Sequence, residues 1–270
     1  MPTWLGAGIG YRRAHHAALL AGGGPRVLEI LPDHFFANPG AIEALAERFT
    51  LVFHDVGLSI GTAGPEDHAR ARLARIKTLA QLARPVLFSD HLAITRSPDG
   101  TDLGHLAPIW RTERMLDHVA DRVRAVADTL GVPIALENIA APFELPGMSE
   151  AEFFTRLVER TGCGVLLDLT NLLGNAHNHG FEPRARLRAY PLAAVQQVHL
   201  AGGFVDRSNQ WIDSHSEPVE PAAYALLADL AAARPALRTI VIERDDKLGE
   251  LAGLVAEADR AQAIWEGANR

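Results

Sequence analysis

Eight short runs of apolar, strand-forming residues are spaced along the chain, and segments with helical periodicity separate them. The runs occupy residues 5–10, 27–32, 51–54, 86–91, 134–138, 165–168, 195–199 and 240–243. Between them, apolar residues recur at intervals of three and four, most clearly in 68–83, 112–130, 150–161 and 221–233. A continuous apolar run is typical of a parallel strand that is buried on both faces. Eight strand and helix repeats therefore predict an α/β fold, a closed (β/α)8 barrel, also called a TIM barrel.

The length of the chain agrees with one barrel. Its 270 residues are close to the value of about 250 that is typical of such folds, and no linker or low-complexity tract divides them. We therefore expect a single domain over residues 1–270. The hydrophobic content of 48% is enough to fill its core.

Composition and charge argue against membrane and nucleic-acid partners. No stretch approaches the roughly 20 uninterrupted apolar residues that cross a bilayer, and the first residues lack the basic start of a signal peptide. The net charge of −7 disfavours a broad nucleic-acid face, which needs clustered Lys and Arg. A local basic group, Arg70, Arg72, Arg75 and Lys77, is expected to be a solvated helix face. The one cysteine, Cys163, cannot form an internal disulfide, which agrees with a reducing compartment such as the cytoplasm. We expect a cytoplasmic protein in which Cys163 is a small packed residue.

Side chains that bind metals stand at the ends of the third to eighth runs. They are imidazoles and carboxylates: His54, His91, Glu137, Asp168, His199 and Glu243. Because the strand ends of a barrel meet at one mouth, these side chains are expected to converge there. Each could by itself be an ordinary hydrogen-bonded or capping residue. Together they indicate a metal site, since buried charge of this density is costly unless it is paired or coordinated.

Three further donors follow these strand ends. Asp213 and His215 alternate along a segment expected to be extended, so both side chains can bind one ion. Asn171, three residues beyond Asp168, either donates its amide oxygen to a metal or caps a turn. One ion takes about four to six ligands, so nine donors suit two or three ions, with Glu137 as a natural bridge. Imidazole and carboxylate ligands without a thiolate fit iron, zinc or manganese and do not choose among them.

Ten short stretches of the chain, in order, resemble one known family. They are residues 8–10, 53–61, 89–93, 136–138, 148–153, 161–168, 176–180, 199–202, 212–215 and 242–243. The family is that of the multinuclear non-heme iron-dependent oxidases, long known as a domain of unknown function, and the resemblance covers almost the full length. It implies a TIM barrel with two or three irons in the Fe2+ and Fe3+ states. It also implies O2-dependent oxidation of a residue, often Cys and otherwise a C-terminal Asp or Asn, in a ribosomally made precursor peptide. A separate leader-binding protein commonly assists such enzymes.

The resemblance also distributes the donors over three ions, with one carboxylate shared. The implied sets are His54, His91 and Glu137 for one iron, Glu137, Asp168, His199 and Glu243 for a second, and Asn171, Asp213 and His215 for a third, less firmly bound iron.

The chain departs from the family's usual pattern around the predicted mouth. Asp55 stands where the family usually has Gly, Thr170 replaces the first Asn of a pair, and segments 31–34 and 94–105 differ. These departures concern the substrate more than the metals. Four side chains are candidates for substrate contact or proton transfer: Asp33, His34, His177 and His179. The last two are expected in a loop that opens on the active face.

Two other classes of function remain open. Xylose-isomerase-like barrels, among them apurinic endonucleases and sugar isomerases, have a similar ligand order and use zinc or manganese for hydrolysis or isomerisation. The acidic charge, and Asn171 where the endonucleases have a histidine, disfavour the first. The absence of a lysine beside the strand-end carboxylates disfavours the second. A non-catalytic metal-binding protein or chaperone for a peptide would have little need for an open, oxygen-reactive site.

Overall fold

A computed structural model describes residues 3–64 and 67–268. Its strands are β1 (Gly6–Gly10), β2 (Val27–Ile30), β3 (Thr50–Asp55), β4 (Phe88–His91), β5 (Ala93–Arg96), β6 (Asp102–Pro108), β7 (Ile134–Glu137), β8 (Gly164–Asp168), β9 (Val195–Leu200), β10 (Phe204–Val205), β11 (Trp211–Ile212) and β12 (Thr239–Ile242). Its helices are α1 (His16–Leu20), α2 (Glu43–Ala46), α3 (Asp67–Ala83), α4 (Glu113–Leu130), α5 (Glu150–Thr161), α6 (Leu169–His179), α7 (Pro183–Ala189), α8 (Pro221–Ala232) and α9 (Leu251–Ala268).

Eight parallel strands close into a barrel, as the sequence predicts. The order around it is β1, β2, β3, β4, β7, β8, β9 and β12, and β12 pairs with β1 to close the circle. The four clearest helical segments of the sequence are α3, α4, α5 and α8, with bounds within one residue of those expected. The prediction of a (β/α)8 barrel is confirmed. Within the described residues no helix is long and apolar enough to cross a membrane.

Two hairpins that the sequence analysis did not predict are inserted after β4 and β9. Strands β5 and β6 form one antiparallel pair, and β10 and β11 form the other. Their strands are largely exposed or half-buried and so lack the continuous apolar run that marks a barrel strand. Both follow strand ends and therefore lie at the mouth of the barrel.

The barrel interior changes from apolar to polar along the strands. Its apolar layer is a fully buried cluster: Val27, Val52, Leu87, Ala135, Leu166 and Val241. Side chains of a strand alternate between its two faces, so the residues two positions later point inward as well. Those residues are Glu29, His54, Ser89, Glu137, Asp168 and Glu243, all buried. The strand period thus places a layer of polar side chains next to the apolar layer, on the side where the strands have their carboxyl ends.

The basic group on α3 is not wholly solvated, and the expectation is wrong for Arg72. This side chain is buried, and its Nε lies 2.8 Å from Asp55 Oδ2. It also forms an ion pair with Asp33. Asp55 is fully buried and accepts the backbone N–H groups of Gly57 and Leu58. A buried carboxylate such as Asp55 requires a cation nearby, and Arg72 of α3 supplies it.

Replacing Arg72 with Met should destabilise the fold strongly. The substitution leaves the Asp55 carboxylate buried without its cation, which typically costs about 3–5 kcal/mol. Urea denaturation of both proteins measures this loss in the free energy of unfolding. Arg70→Met is the matched control, because the Arg70 side chain on the same helix is 71% exposed. The control should stay within about 0.5 kcal/mol of the wild type. Equal effects of the two substitutions would contradict the assignment.

Candidate metal centre

Glu137, at the end of β7, lies among three imidazoles. Its Oε2 is 3.4 Å from His54 Nε2 and 3.3 Å from His91 Nε2. Its Oε1 is 3.2 Å from His199 Nδ1. Parallel pairing of β4 with β7 puts His91 directly beside Glu137. His54 of β3 and His199 of β9 also point into the barrel and reach the same carboxylate. One carboxylate therefore offers an oxygen to each of two neighbouring groups of ligands, as a bridge would.

A second group of donors lies on the other side of Glu137. Ligand atoms of Glu137, Asp168, His199 and Glu243 all lie within 4.8 Å of one another, and the four side chains are buried. The closest contact joins His199 Nδ1 and Glu243 Oε2, at 3.0 Å. Asp168 also caps α6, since its Oδ1 accepts the backbone N–H of Asn171 at 2.7 Å. Asp168 Oδ2 is buried and has no hydrogen-bond partner within the described residues.

The structure brings together two of the three residues expected at the outer position. His215 Nε2 is 2.9 Å from Asp213 Oδ1, and His215 Nδ1 is 3.6 Å from Glu243 Oε2. The segment is not extended as expected, because β11 ends at Ile212 and His215 has a left-handed φ of 48°. Asn171 lies beside Asp168, and within residues 3–64 and 67–268 it has no hydrogen bond to Asp213 or His215.

Burial and charge set the protonation of these groups. Burial lowers the pKa of His91 to about 4, against the opposing charge of Glu137, so this ring is neutral near pH 7. Burial would raise the pKa of Glu137, but His199, His91 and His54 together hold it below its usual value. Burial and the charges of Glu137 and Asp213 raise the pKa of Asp168 well above its usual range. A cation between these carboxylates would relieve their repulsion.

His199 has the opposite shift. Burial alone would lower its pKa, but the carboxylates of Glu243, Glu29 and Glu137 raise it well above the usual value. Without a metal, these three carboxylates therefore favour the form of the ring that carries a proton on both nitrogens. A metal ion on the Glu137 and Glu243 side would take the place of one proton.

Several buried atoms at this site have no hydrogen-bond partner within the described part of the chain. They are Glu137 Oε2, Asp168 Oδ2, Asn171 Oδ1 and His91 Nδ1. Buried polar atoms in folded proteins rarely lack partners, so a cluster of them calls for an explanation. Oxygen and imidazole donors without a thiolate suit divalent cations such as iron, zinc and manganese. The donor set fits a multinuclear centre.

His177 and His179 lie in the last turn of α6, not in a loop. The helix starts at the Asp168 cap and ends at Gly180, which has a left-handed φ of 73°. The expectation of a loop is wrong because this cap lets the helix begin directly at the strand end. His177 Nε2 is 3.0 Å from the carbonyl oxygen of Asn209, and His179 Nε2 is 2.9 Å from that of Ala141. Both rings contact loops at the mouth, and their role toward a substrate stays a prediction.

Asp33 and His34 lie in a short 3₁₀ turn after β2. Asp33 forms an ion pair with Arg72. The His34 ring packs edge-on against Tyr11, and burial together with the charge of Arg12 lowers its pKa. Within the described residues neither side chain has an ion pair or hydrogen bond to the metal groups. Their role in substrate contact or proton transfer also stays a prediction.

Three residues that the sequence analysis did not single out contact the outer nitrogens of the histidines. Ser89 Oγ is 3.0 Å from His54 Nδ1, and Asp245 Oδ2 is 2.9 Å from His215 Nδ1. Glu29 Oε2 is 2.9 Å from His199 Nε2. A hydrogen bond to one ring nitrogen orients the ring and leaves the other for a ligand bond. A carboxylate in the middle of the apolar run Val27–Ile30 was the available signal for Glu29.

A cavity of about 610 Å³ opens beside this site, and we call it the mouth groove. Its lining residues are 105–108, 140–143, Asn178, Asp206 and 210–213. The apolar side chains of Phe143 and Ile212 in its walls are 53% and 37% exposed. Asp213 lies in the same wall, so the groove reaches the predicted metal ligands.

Comparison with protein families gives the relationship directly. Residues 6–266 match the model of a family described as RiPP precursor modification enzyme MbnB/TglH/ChrH, in which RiPP denotes a ribosomally synthesised and post-translationally modified peptide. The chain belongs to this family. Relatives of this MbnB/TglH/ChrH member include a protein named UPF0276 from Caulobacter vibrioides NA1000, 35% identical over 98% of this chain and 96% of the relative. The UPF0276 protein of Bordetella bronchiseptica is 38% identical over 95% and 91%.

Solved structures similar to this MbnB/TglH/ChrH member show the type of barrel. A xylose isomerase domain protein from Salmonella typhimurium has a TM-score of 0.63 at 12% identity and covers 89% of this chain and 88% of its own. Endonuclease IV from Thermus thermophilus has a TM-score of 0.57 at 18% identity, with 97% and 99% covered. At such identities the likeness concerns the fold alone, which is a xylose-isomerase-like TIM barrel.

Proposed function

We propose that this chain is an O2-dependent oxidase that uses two or three iron ions to modify a residue of a ribosomally made precursor peptide. The residue is Cys, or a C-terminal Asp or Asn. The observation that carries the proposal is the buried set of imidazoles and carboxylates around Glu137, beside a groove open to solvent. Membership of a precursor-modifying family supports a peptide as the substrate. Iron and O2 rest on the ligand types and on the resemblance to iron-dependent oxidases.

The proposal assigns each ion to a set of side chains. The sets are His54, His91 and Glu137, then Glu137, Asp168, His199 and Glu243, and last Asn171, Asp213 and His215. Iron bound there would supply the redox chemistry for O2 and a Lewis acid for the substrate. The chain fixes the ligands of the first two sets at the ends of barrel strands, and the apolar layer that begins at Val27 closes the bottom of the site. Because this apolar layer excludes water, it strengthens the electrostatic interactions among the ligands above it.

In this proposal the mouth groove binds an extended segment of the precursor and directs it toward Asp213. One wall is formed by β11 and the turn before it, and α6 holds this wall in place. Asn178 of α6 accepts the backbone N–H of Trp211 at 2.7 Å and donates to its carbonyl oxygen at 3.1 Å. The Cβ that a substitution would add at Gly174 of α6 would lie 2.2 Å from the Trp211 ring, so helix and hairpin are in close contact. The wall is thus a preformed surface.

Replacing Phe143 with Ala should weaken binding of the precursor. Truncating an exposed phenyl ring that a ligand covers removes about 1–2 kcal/mol of apolar burial, and about 1.4 kcal/mol is tenfold in affinity. We therefore expect KM to rise about tenfold with kcat nearly unchanged, measured by steady-state kinetics. Phe204→Ala is the matched control, since this ring is 44% exposed but does not line the groove. A KM that rises equally in both variants would argue against the groove.

The test of the proposed function compares metals and oxygen. The assay uses any short Cys-, Asp- or Asn-bearing peptide that a neighbouring gene encodes, with and without any leader-binding protein encoded there. Protein stripped of metal is reconstituted with iron, zinc or manganese, and the mass and chromatographic retention of the peptide are followed with and without O2. We expect a change in mass only with iron and O2 together. Turnover with zinc or manganese in the absence of O2 would instead place the chain among the hydrolases or isomerases.

A further inference from the structure

We infer that Glu29 is a positioning residue, which holds the His199 ring so that Nδ1 faces the metal group formed with Glu137 and Glu243. Glu29 lies on β2, outside all the ligand sets assigned above, and is 2% exposed. The inference rests on the proposed metal centre, and it does not depend on the oxidase chemistry.

The two ring nitrogens of His199 face different carboxylates. Nε2 lies 2.9 Å from Glu29 Oε2. Nδ1, on the other side of the ring, lies 3.2 Å from Glu137 Oε1 and 3.0 Å from Glu243 Oε2. The ring therefore stands between the Glu29 carboxylate on one side and the Glu137 and Glu243 carboxylates on the other. Only the second pair belongs to the four-residue ligand group that includes Asp168.

Glu29 decides which nitrogen is free for a metal. An ionised carboxylate only accepts hydrogen bonds, so the contact with Nε2 requires the proton to stay on that nitrogen. The proton on Nδ1 is then the one that leaves when a metal binds. Gln197 stabilises the same arrangement, because its amide nitrogen also donates to Glu29 Oε2. Two donors thus converge on one buried oxygen.

A different role is possible in geometry but fits less well. Ligand atoms of Glu29, His54 and His199 are close enough to hold an ion of their own. However, the amide nitrogen of Gln197 donates to Glu29 Oε2 and lies 2.9 Å from His199 Nε2, so it already occupies the space that a cation between Glu29 and His199 would need. His54 is already engaged with Ser89 through Nδ1 and lies beside Glu137 through Nε2. The hydrogen bond is therefore the better account of Glu29.

The experiment uses the full chain loaded with zinc, which is diamagnetic, and labelled with 15N-histidine. The wild type should show a slowly exchanging, downfield proton coupled to Nε2 of one histidine, and the loss of this signal in His199→Ala assigns it. Glu29→Ala should lose the signal and bind zinc about 10- to 100-fold more weakly in chelator competition, the usual effect of removing a group that orients a ligand. Glu29→Gln keeps an acceptor oxygen and should recover part of both properties. Glu150→Ala, which removes a half-buried glutamate that accepts a hydrogen bond from Tyr190, is the control and should keep both.

Two results would overturn the inference. Unchanged zinc affinity and an unchanged Nε2 proton in a folded Glu29→Ala protein would show that Glu29 does not orient His199. Loss of one whole ion, with the affinity of the others unaltered, would show that Glu29 is itself a ligand. Because the readout is zinc binding, an inactive oxidase does not affect the result, whereas a wild type that binds no zinc would remove the proposed centre as well.

Discussion

Glu137→Gln is expected to remove most of the bound iron and to abolish turnover. Both carboxylate oxygens of Glu137 contact imidazoles, so this side chain joins the two inner groups of ligands. A neutral amide has one acceptor oxygen and no charge to balance two cations. Substitutions that only disturb the orientation of ligands cost about 10- to 100-fold, so loss of the bridge should exceed the upper end of that range. Elemental analysis and turnover of the anaerobically reconstituted variant measure both effects.

The control for Glu137→Gln is Cys163→Ala. Cys163 is buried like Glu137, but it precedes β8 at the end of the barrel opposite the mouth. Burial raises the pKa of its thiol, so it is a protonated, packed side chain and a poor ligand. Iron content and turnover of this variant should remain close to the wild type. A Glu137→Gln protein with full metal content and activity would refute the bridging role.

His215→Ala is expected to lower turnover by orders of magnitude while the two inner irons remain. His215 and Asp213 lie at the edge of the centre, with side chains 15% and 20% exposed, whereas Glu137 is 2% exposed. Asn171 offers only a neutral amide oxygen, a weaker donor to a hard cation than a carboxylate. The outer ion should therefore be the first to leave, and its occupancy should vary between preparations. The outer ion would lie beside the mouth groove, so a substrate in the groove would meet this ion before the inner pair.

Mössbauer spectra of iron-57-loaded protein distinguish the outer ion from the inner pair. In His215→Ala the signal of the inner pair should persist while the remaining component disappears. His118→Ala is the control, because His118 lies on α4 and contacts the backbone of Thr62. Glu243 lies 3.0 Å from His199 and 3.6 Å from His215, so it connects the inner pair of sites with the outer site. Loss of all iron together would mean one cooperative cluster, against the division into separate sites.

The sequence was sufficient for the barrel and for the convergence of most predicted ligands. Buried parallel strands are the most regular signal in a chain, and closing the barrel brings every strand end to one mouth. The positions of His54, His91, Glu137 and His199 follow from the strand period alone. That period also predicts that the Glu29 side chain points into the barrel. Its role could not be predicted from the sequence, because its partner His199 lies on a distant strand.

Other features depend on contacts that no local pattern encodes. Arg72 is buried because Asp33 and Asp55, from two other elements, meet its guanidinium. The two hairpins are half-exposed, so their strands carry no strong periodicity. His177 and His179 are helical because the Asp168 side chain starts α6 at the strand end, where the sequence alone suggested a loop. Tertiary contacts therefore shape the mouth, and the strand pattern shapes the centre.

We expect these strand-end side chains to bind iron. Anomalous diffraction at the iron absorption edge, from crystals of anaerobically purified protein, would locate the ions. Two or three iron peaks are expected, one beside His54 and His91 and one among Asp168, His199 and Glu243, with Glu137 between them. Crystals without an anomalous peak at these ligands, or with peaks that belong only to zinc in protein that iron cannot activate, would refute iron binding at this centre.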